Sequence, residues 1–268
     1  MVSLTTKLET ESQLIILVKA APRVGGTHGE LVCCAGIDSN SNWVRLYPVA
    51  FRTLEHTQQF SRWDVVRYQW SLPKGDNRSE SRRVAHKSLE IIGHVKRREE
   101  RQRLLARSVV TGLVAEEEAG RSLALLRPRN AKFHWVRKSD VVYAKEKQQF
   151  TEWHSQEENS LFGLLDKSLV PYEPAEFAFR YSYSTDDGDR TGTCQDWEIE
   201  ATYLKWKRKY GSAKALEYMQ ERFGSEYPTQ GFVLAMGTHK AYGNWLINGV
   251  IKLDHGAEEL AASEPNLI

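Results

Sequence analysis

The stretch ELVCCAGIDSNSNWVRLYPV, residues 30 to 49, constrains the fold more than any other. An apolar run of seven residues after Glu30 stops at DSNSN, a cluster of turn formers, and a second largely apolar run follows at once. Runs this short, bounded by such clusters, form strands joined as a hairpin. The pattern recurs. QLIILVKA precedes it, and WDVVRYQWSL, SLEIIGHV, AEFAFRYSYS, GFVLAMGTH and NWLINGVIKL follow. In AEFAFRYSYS the aromatics Phe177, Phe179, Tyr181 and Tyr183 recur at every second position, so they share one face of a strand.

Between the strands lie segments of helical composition. KRREERQRLLARSVVTGLVAEEEAG is heavily charged, with Gly112 as a break point, and KEKQQFTEWHSQEEN reads as a polar helix or connector. The segment CQDWEIEATYLKWKRKYG predicts a helix with acids at its start and lysines at its end, as the helix dipole favours. Ile199, Tyr203, Trp206 and Tyr210 line one face of it, and Trp197, Ala201 and Leu204 the opposite one. SAKALEYMQERFG reads as a further helix, capped by Ser212 and ended by Gly224. The expected fold class is α+β: a barrel-like mixed β-sheet core with helical insertions. Two halves are expected, a β-rich one over residues 12–140 carrying the basic helical insertion and an α+β one over 172–253. They form either two units or one composite domain. GELVCCAGIDSNSNW and GFVLAMGTHKAYGNW share their Gly-to-Trp spacing, which fits either a repeated hairpin or two ordinary ones.

Composition narrows the function classes. The 268 residues carry 41% hydrophobic and 27% charged side chains, as in ordinary globular proteins. No apolar run is long enough to cross a bilayer, and the N-terminal residues lack a signal-peptide pattern, so the expectation is a cytoplasmic chain with no membrane partner. Three cysteines without CxxC spacing predict neither a disulfide framework nor a zinc cluster. Cys194, beside a helix start, is a candidate for a lowered pKa. P-loop, Rossmann, HExxH and GxSxG motifs are absent.

The net charge is only +2, but it is unevenly spread. Residues 78 to 107 hold ten Lys or Arg against four Glu, and residues 121 to 138 hold six against no acid. Basic residues interleaved with aromatics suit single-stranded nucleic acid, whose phosphates they pair and whose bases they stack. The candidates are Arg45, Tyr47 and Arg52, extended by Trp63, Arg78, Arg82 and Arg83. The same pattern also describes a sheet with core aromatics and solvated arginines. The leading expectation is a protein that binds RNA or single-stranded or modified DNA, with no cofactor.

Two other readings compete. Asp196, Glu198 and Glu200, with His239 folded over them, would suit a metal-dependent nuclease or other hydrolase, with Mg²⁺ as its ion. The same acids equally serve as a helix cap and first turn. A charged helix from Lys96, with Arg97, Arg98 and Arg101, would suit a protein partner.

Three blocks carry a resemblance: GELVCCAGIDSNSNWVRLYPVAFRTL, CQDWEIEATYLKW and FVLAMGTH…NWLINGVIKL. The chain resembles an uncharacterised prokaryotic family of hypothetical proteins, which implies no activity. The closing strand–GT–loop–strand block is also similar to small PUA- and ASCH-type barrels, a resemblance that implies RNA or modified bases as ligands. The GxKxxExR pattern of ASCH domains is not present.

Overall fold

A computed structural model describes residues 10–25, 29–158, 169–239 and 242–263. The first apolar runs become β1 (Thr10–Lys19), β2 (Arg23–Gly25), β3 (Gly29–Ile37), β4 (Trp43–Val49), β5 (Asp64–Ser71), β6 (Ser81–Val84) and β7 (Glu90–His94). The order β1-β3-β4-β6-β5 returns to β1, which closes a five-stranded barrel. Only β4 and β6 run parallel within it. Alternation explains the closure. Leu14 and Ile16, Val32 and Cys34, Val44 and Leu46, Val66 and Tyr68, and Val84 all turn inward and form one core. A barrel this narrow is filled by its own side chains. Phe51 and Phe60, from the segment between β4 and β5, meet edge to face at 5.0 Å and join that core.

The second half carries β8 (Val109–Val110), β9 (Leu123–Leu126), β10 (Arg129–Arg137), β11 (Phe177–Thr185), β12 (Gly188–Thr193), β13 (Phe232–Thr238) and β14 (Trp245–Lys252). They form a sheet of order β14-β13-β9-β8 and another of order β10-β11-β12. The helices are α1 (Arg98–Ala106), α2 (Val114–Glu118), α3 (Asp140–Glu158), α4 (Trp197–Tyr210), α5 (Ser212–Met219), α6 (Tyr227–Gln230) and α7 (Ala257–Ser263). The aromatic stripe on β11 behaves as its period demands. Phe179, Tyr181 and Tyr183 are buried against Phe133, Phe223 and Phe232, and Ile199 and Tyr203 of α4 close over them. Each such side chain contributes roughly 1.5–3 kcal/mol on burial.

The outer face of the barrel meets the second half in a further core. Leu17, Val18, Ala35 and Ile37 pack against Leu123, Leu125, Val233, Ala235 and Ile251, with Leu105 of α1 and Ala257 of α7 alongside. The sheet containing β13 is thus covered on both sides, which is why FVLAM is an unbroken apolar run rather than an alternating one.

Four expectations need correction. Leu123–Leu126 and Arg129–Arg137, grouped above with the first half, pair with β13 and β11 of the second. Gly188–Thr193, where the pattern predicts no strand, is one, paired with β11. Gly224 does not end a helix. It lies in a π-helical stretch, Gln220–Glu226, that links α5 to α6, and the run ends at Gly231, whose φ of 102° suits glycine. Ser212 is no cap either. Gly211 holds that position, and the Ser212 hydroxyl meets Tyr203 Oη at 2.8 Å.

Candidate nucleic-acid interface

A cleft of about 550 Å³ separates the end of the barrel from the edge of the second half. Its barrel wall is the β3–β4 turn with Trp43, and Arg82 of β6. The opposite wall is Arg107 and β8, with Glu116 of α2 and Arg121. The turn is shaped by Asp38, whose carboxylate accepts from the amides of Asn40 and Asn42, both at 2.9 Å. Arg82 lies over the ring of Trp70 at 4.1 Å, and its Nη1 donates to the carbonyls of Ser79 (2.6 Å) and Ser81 (3.0 Å). Arg121 pairs with Glu116 through two bonds of 2.5 and 2.8 Å. Arg107 sits at the C-cap of α1, exposed, and no described carboxylate lies within salt-bridge reach of it.

The carboxylates of the cleft are already engaged. Glu80 accepts from the Ser122 amide at 2.6 Å, and Asp38 is spent on its own turn. The guanidiniums keep unused donors, all five on Arg107 and those beyond Nη1 on Arg82. This asymmetry gives the cleft wall its donor character although acids and bases are equal in number.

Behind the wall lie two of the expected residues. Arg45 is only 3% exposed, and it donates to Ser122 Oγ (2.9 Å), the Ser122 carbonyl (3.1 Å) and Ser81 Oγ (3.4 Å). Arg78 grips Asp76 at 2.7 and 2.8 Å and gives Nη1 to the Thr238 carbonyl at 2.9 Å. The bonds from Arg78 hold the Asp76 carboxyl far below the usual range. These two arginines tie the barrel to β9 and β13. Neither presents its guanidinium freely to a ligand. Burial pushes the neighbouring Cys33 thiol up.

The remaining expected residues scatter. Tyr47 and Arg83 are exposed on the barrel surface. Arg52 is committed to Glu30 at 2.7 Å and the Val170 carbonyl at 2.6 Å. Trp63 is buried between the halves with a φ of 76°, and Arg101 stacks on it at 5.0 Å. Trp43, Arg107 and Arg121, which build the cleft, were absent from the candidate list. Arg107 and Arg121 bound the two basic segments, so charge counting marked their neighbourhood but not their convergence.

The acid cluster of CQDWEIE is a latch. Asp196 is 2% exposed and caps α4, accepting from the Glu198 amide (2.9 Å), the Val250 amide (2.8 Å) and Arg62 Nη2 (3.0 Å). Arg62 also reaches Glu198 at 3.2 Å and the Val250 carbonyl at 2.8 Å. The Glu198 side chain itself remains 47% exposed. Glu200 faces elsewhere and accepts from the Ala175 amide at 2.8 Å. His239 does not close over this group. Asp196 is bonded at Val250, whereas His239 follows the Thr238–Trp245 pair at the other end of the hairpin. Five residues of strand separate them, roughly 16 Å. Among the described residues no group of three or more His, Cys, Asp or Glu is placed to hold a metal ion. Burial drives the Cys194 thiol well above its ordinary value, opposite to the lowering expected of a helix start.

Of the charged helix, Arg98 pairs with Asp254 at 2.7 Å and Arg101 donates to the Val95 carbonyl at 2.7 Å, while Arg97 is exposed. No helix among the described residues is long and apolar enough to cross a membrane.

Residues 106–264 match the family described as Domain of unknown function (DUF8757), and residues 10–107 match Domain of unknown function (DUF8758). No curated protein matches the chain. Among solved structures it is similar to the tetrameric p202 HIN2, at 8% identity and a TM-score of 0.29, covering 90% of each chain. It is also similar to a replication protein A heterotrimer bound to ssDNA, at 9% identity and a TM-score of 0.25, covering 97% of this chain and 69% of that one.

Proposed function

This chain belongs to the DUF8757 family, and we propose that it binds single-stranded nucleic acid in the cleft between barrel and second half. The observation that carries the reading is the convergence of Arg82, Arg107 and Arg121 with Trp43 on one open cleft whose acids are already bonded to the protein. The volume lies in the range of ligand sites. Guanidiniums with unused donors suit phosphate oxygens, and an indole in the wall suits a base.

Labelled single-stranded RNA and DNA, titrated at several salt concentrations, test the reading. Binding is expected to weaken as salt rises, because each phosphate pairing releases counterions. Arg107→Ala is expected to weaken binding to every sequence alike and to reduce the salt slope by about 0.7, the value of one phosphate contact on a single strand. Unchanged affinity and slope in Arg107→Ala and Arg82→Ala would remove the cleft from the function.

A further inference from the structure

At the tip of the β13–β14 hairpin the rings of His239 and Tyr242 lie face to face, with centroids 4.9 Å apart and planes 19° from parallel. Tyr242 is 82% exposed, so its ring buries little and does little for the fold. The described residues on either side of the loop are nevertheless bonded to each other. The His239 amide donates to the Asn244 carbonyl and the Gly243 amide to the His239 carbonyl, both at 2.9 Å. Its base is pinned behind the cleft wall, at Ser122 between the cleft residues Arg121 and Leu123. The Thr238 amide donates to the Ser122 carbonyl at 3.0 Å, and Arg78 holds the Thr238 carbonyl. On the other side Trp245 Nε1 donates to Glu117 of α2, beside the cleft residue Glu116.

We infer that the stacked pair of His239 and Tyr242 is a base-stacking platform at the rim of the cleft, which takes an unpaired base of the strand whose phosphates meet Arg107. The inference rests on the cleft reading above and adds what that reading leaves open, a requirement for bases as well as phosphates. An aromatic face next to anchored residues and left open to solvent is what a base stacks on, and such contacts tolerate every base. A duplex, whose bases are already stacked, gains nothing from it.

Two probes separate base from phosphate: an oligothymidylate of about 12 nucleotides, within the span one barrel covers, and an abasic strand of equal length. Tyr242→Ala is expected to weaken oligothymidylate binding about five-fold or more, with the salt slope unchanged. Tyr242→Phe keeps the ring and is expected to bind as the unaltered protein does. The abasic strand is expected to bind Tyr242→Ala and the unaltered protein equally. If Arg107→Ala weakens binding and Tyr242→Ala does not, the platform is overturned and the cleft stands. Equal losses of Tyr242→Ala on both probes would also overturn it, since the residue would then act through phosphate or through the loop's fold. If the unaltered protein binds neither strand, the cleft reading itself falls, and the platform with it.

Discussion

Individual side chains here divide by what covers them. Arg45 is the clearest case. Its guanidinium is sealed against Ser122 and Ser81, so Arg45→Ala leaves a buried void, takes one of two donors from the Ser122 carbonyl and removes one of the cations near Glu80. A loss of about 3 kcal/mol in urea unfolding is expected, against less than about 0.5 for Arg83→Ala on the surface. Equal effects of the two would refute the joint assigned to Arg45. Glu30 gives a pH signature. Its side chain is 2% exposed, and burial raises its carboxyl despite Arg52 at 2.7 Å. The folded state therefore holds that proton more tightly than the unfolded chain does. Stability from this group is full below about pH 4.3, the unfolded value, and falls as pH rises through the folded one. Glu30→Gln is expected to flatten that decline, which urea midpoints measured from pH 4 to 7 would show.

At the scale of elements, α4 is joined to the barrel through its first turn. Asp196 serves one amide of its own helix, one of β14, and Arg62 from the segment before β5. Asp196→Asn keeps an acceptor but removes the charge opposite buried Arg62. A loss of about 2–4 kcal/mol is expected, read by denaturant unfolding with nucleic-acid affinity unchanged once folded. A stable variant that lost binding or strand cleavage would instead restore an active role for this carboxylate. The acids and lysines at the two ends of α4 were legible in sequence as dipole and cap. The identity of the cap's partners was not, because Val250 and Arg62 lie 54 and 134 positions away.

For the whole molecule, the two family segments meet at residues 106–107, yet one of the apolar cores crosses that line. Leu17, Val18, Ala35 and Ile37 from the first segment pack in one core with Leu123, Leu125, Val233, Ala235 and Ile251 of the second, alongside Trp63, Val95 and α1. The chain is expected to unfold in one transition, and residues 10–107 alone to bind a hydrophobic dye such as ANS. A cooperative, dye-free fragment would show that the barrel closes a sufficient core by itself.

Residue order determined much of this protein. The short apolar runs, the turn at DSNSN, the alternating aromatics of β11 and the polar ends of α4 each express a local period or a local cap. The π-helical run through Gly224 and the strand Gly188–Thr193 escaped, since both depend on neighbours supplied from afar. Tertiary structure alone decided which arginines are available. Arg45 and Tyr47 share a face of β4, as their spacing requires, yet one is 3% exposed and the other 43%. A strand's period says which side chains lie together, but not what lies against them. Here Ser122, just before β9, covers Arg45 and leaves Tyr47 open, while Arg82, Arg107 and Arg121 come together across the cleft from three separate places in the chain.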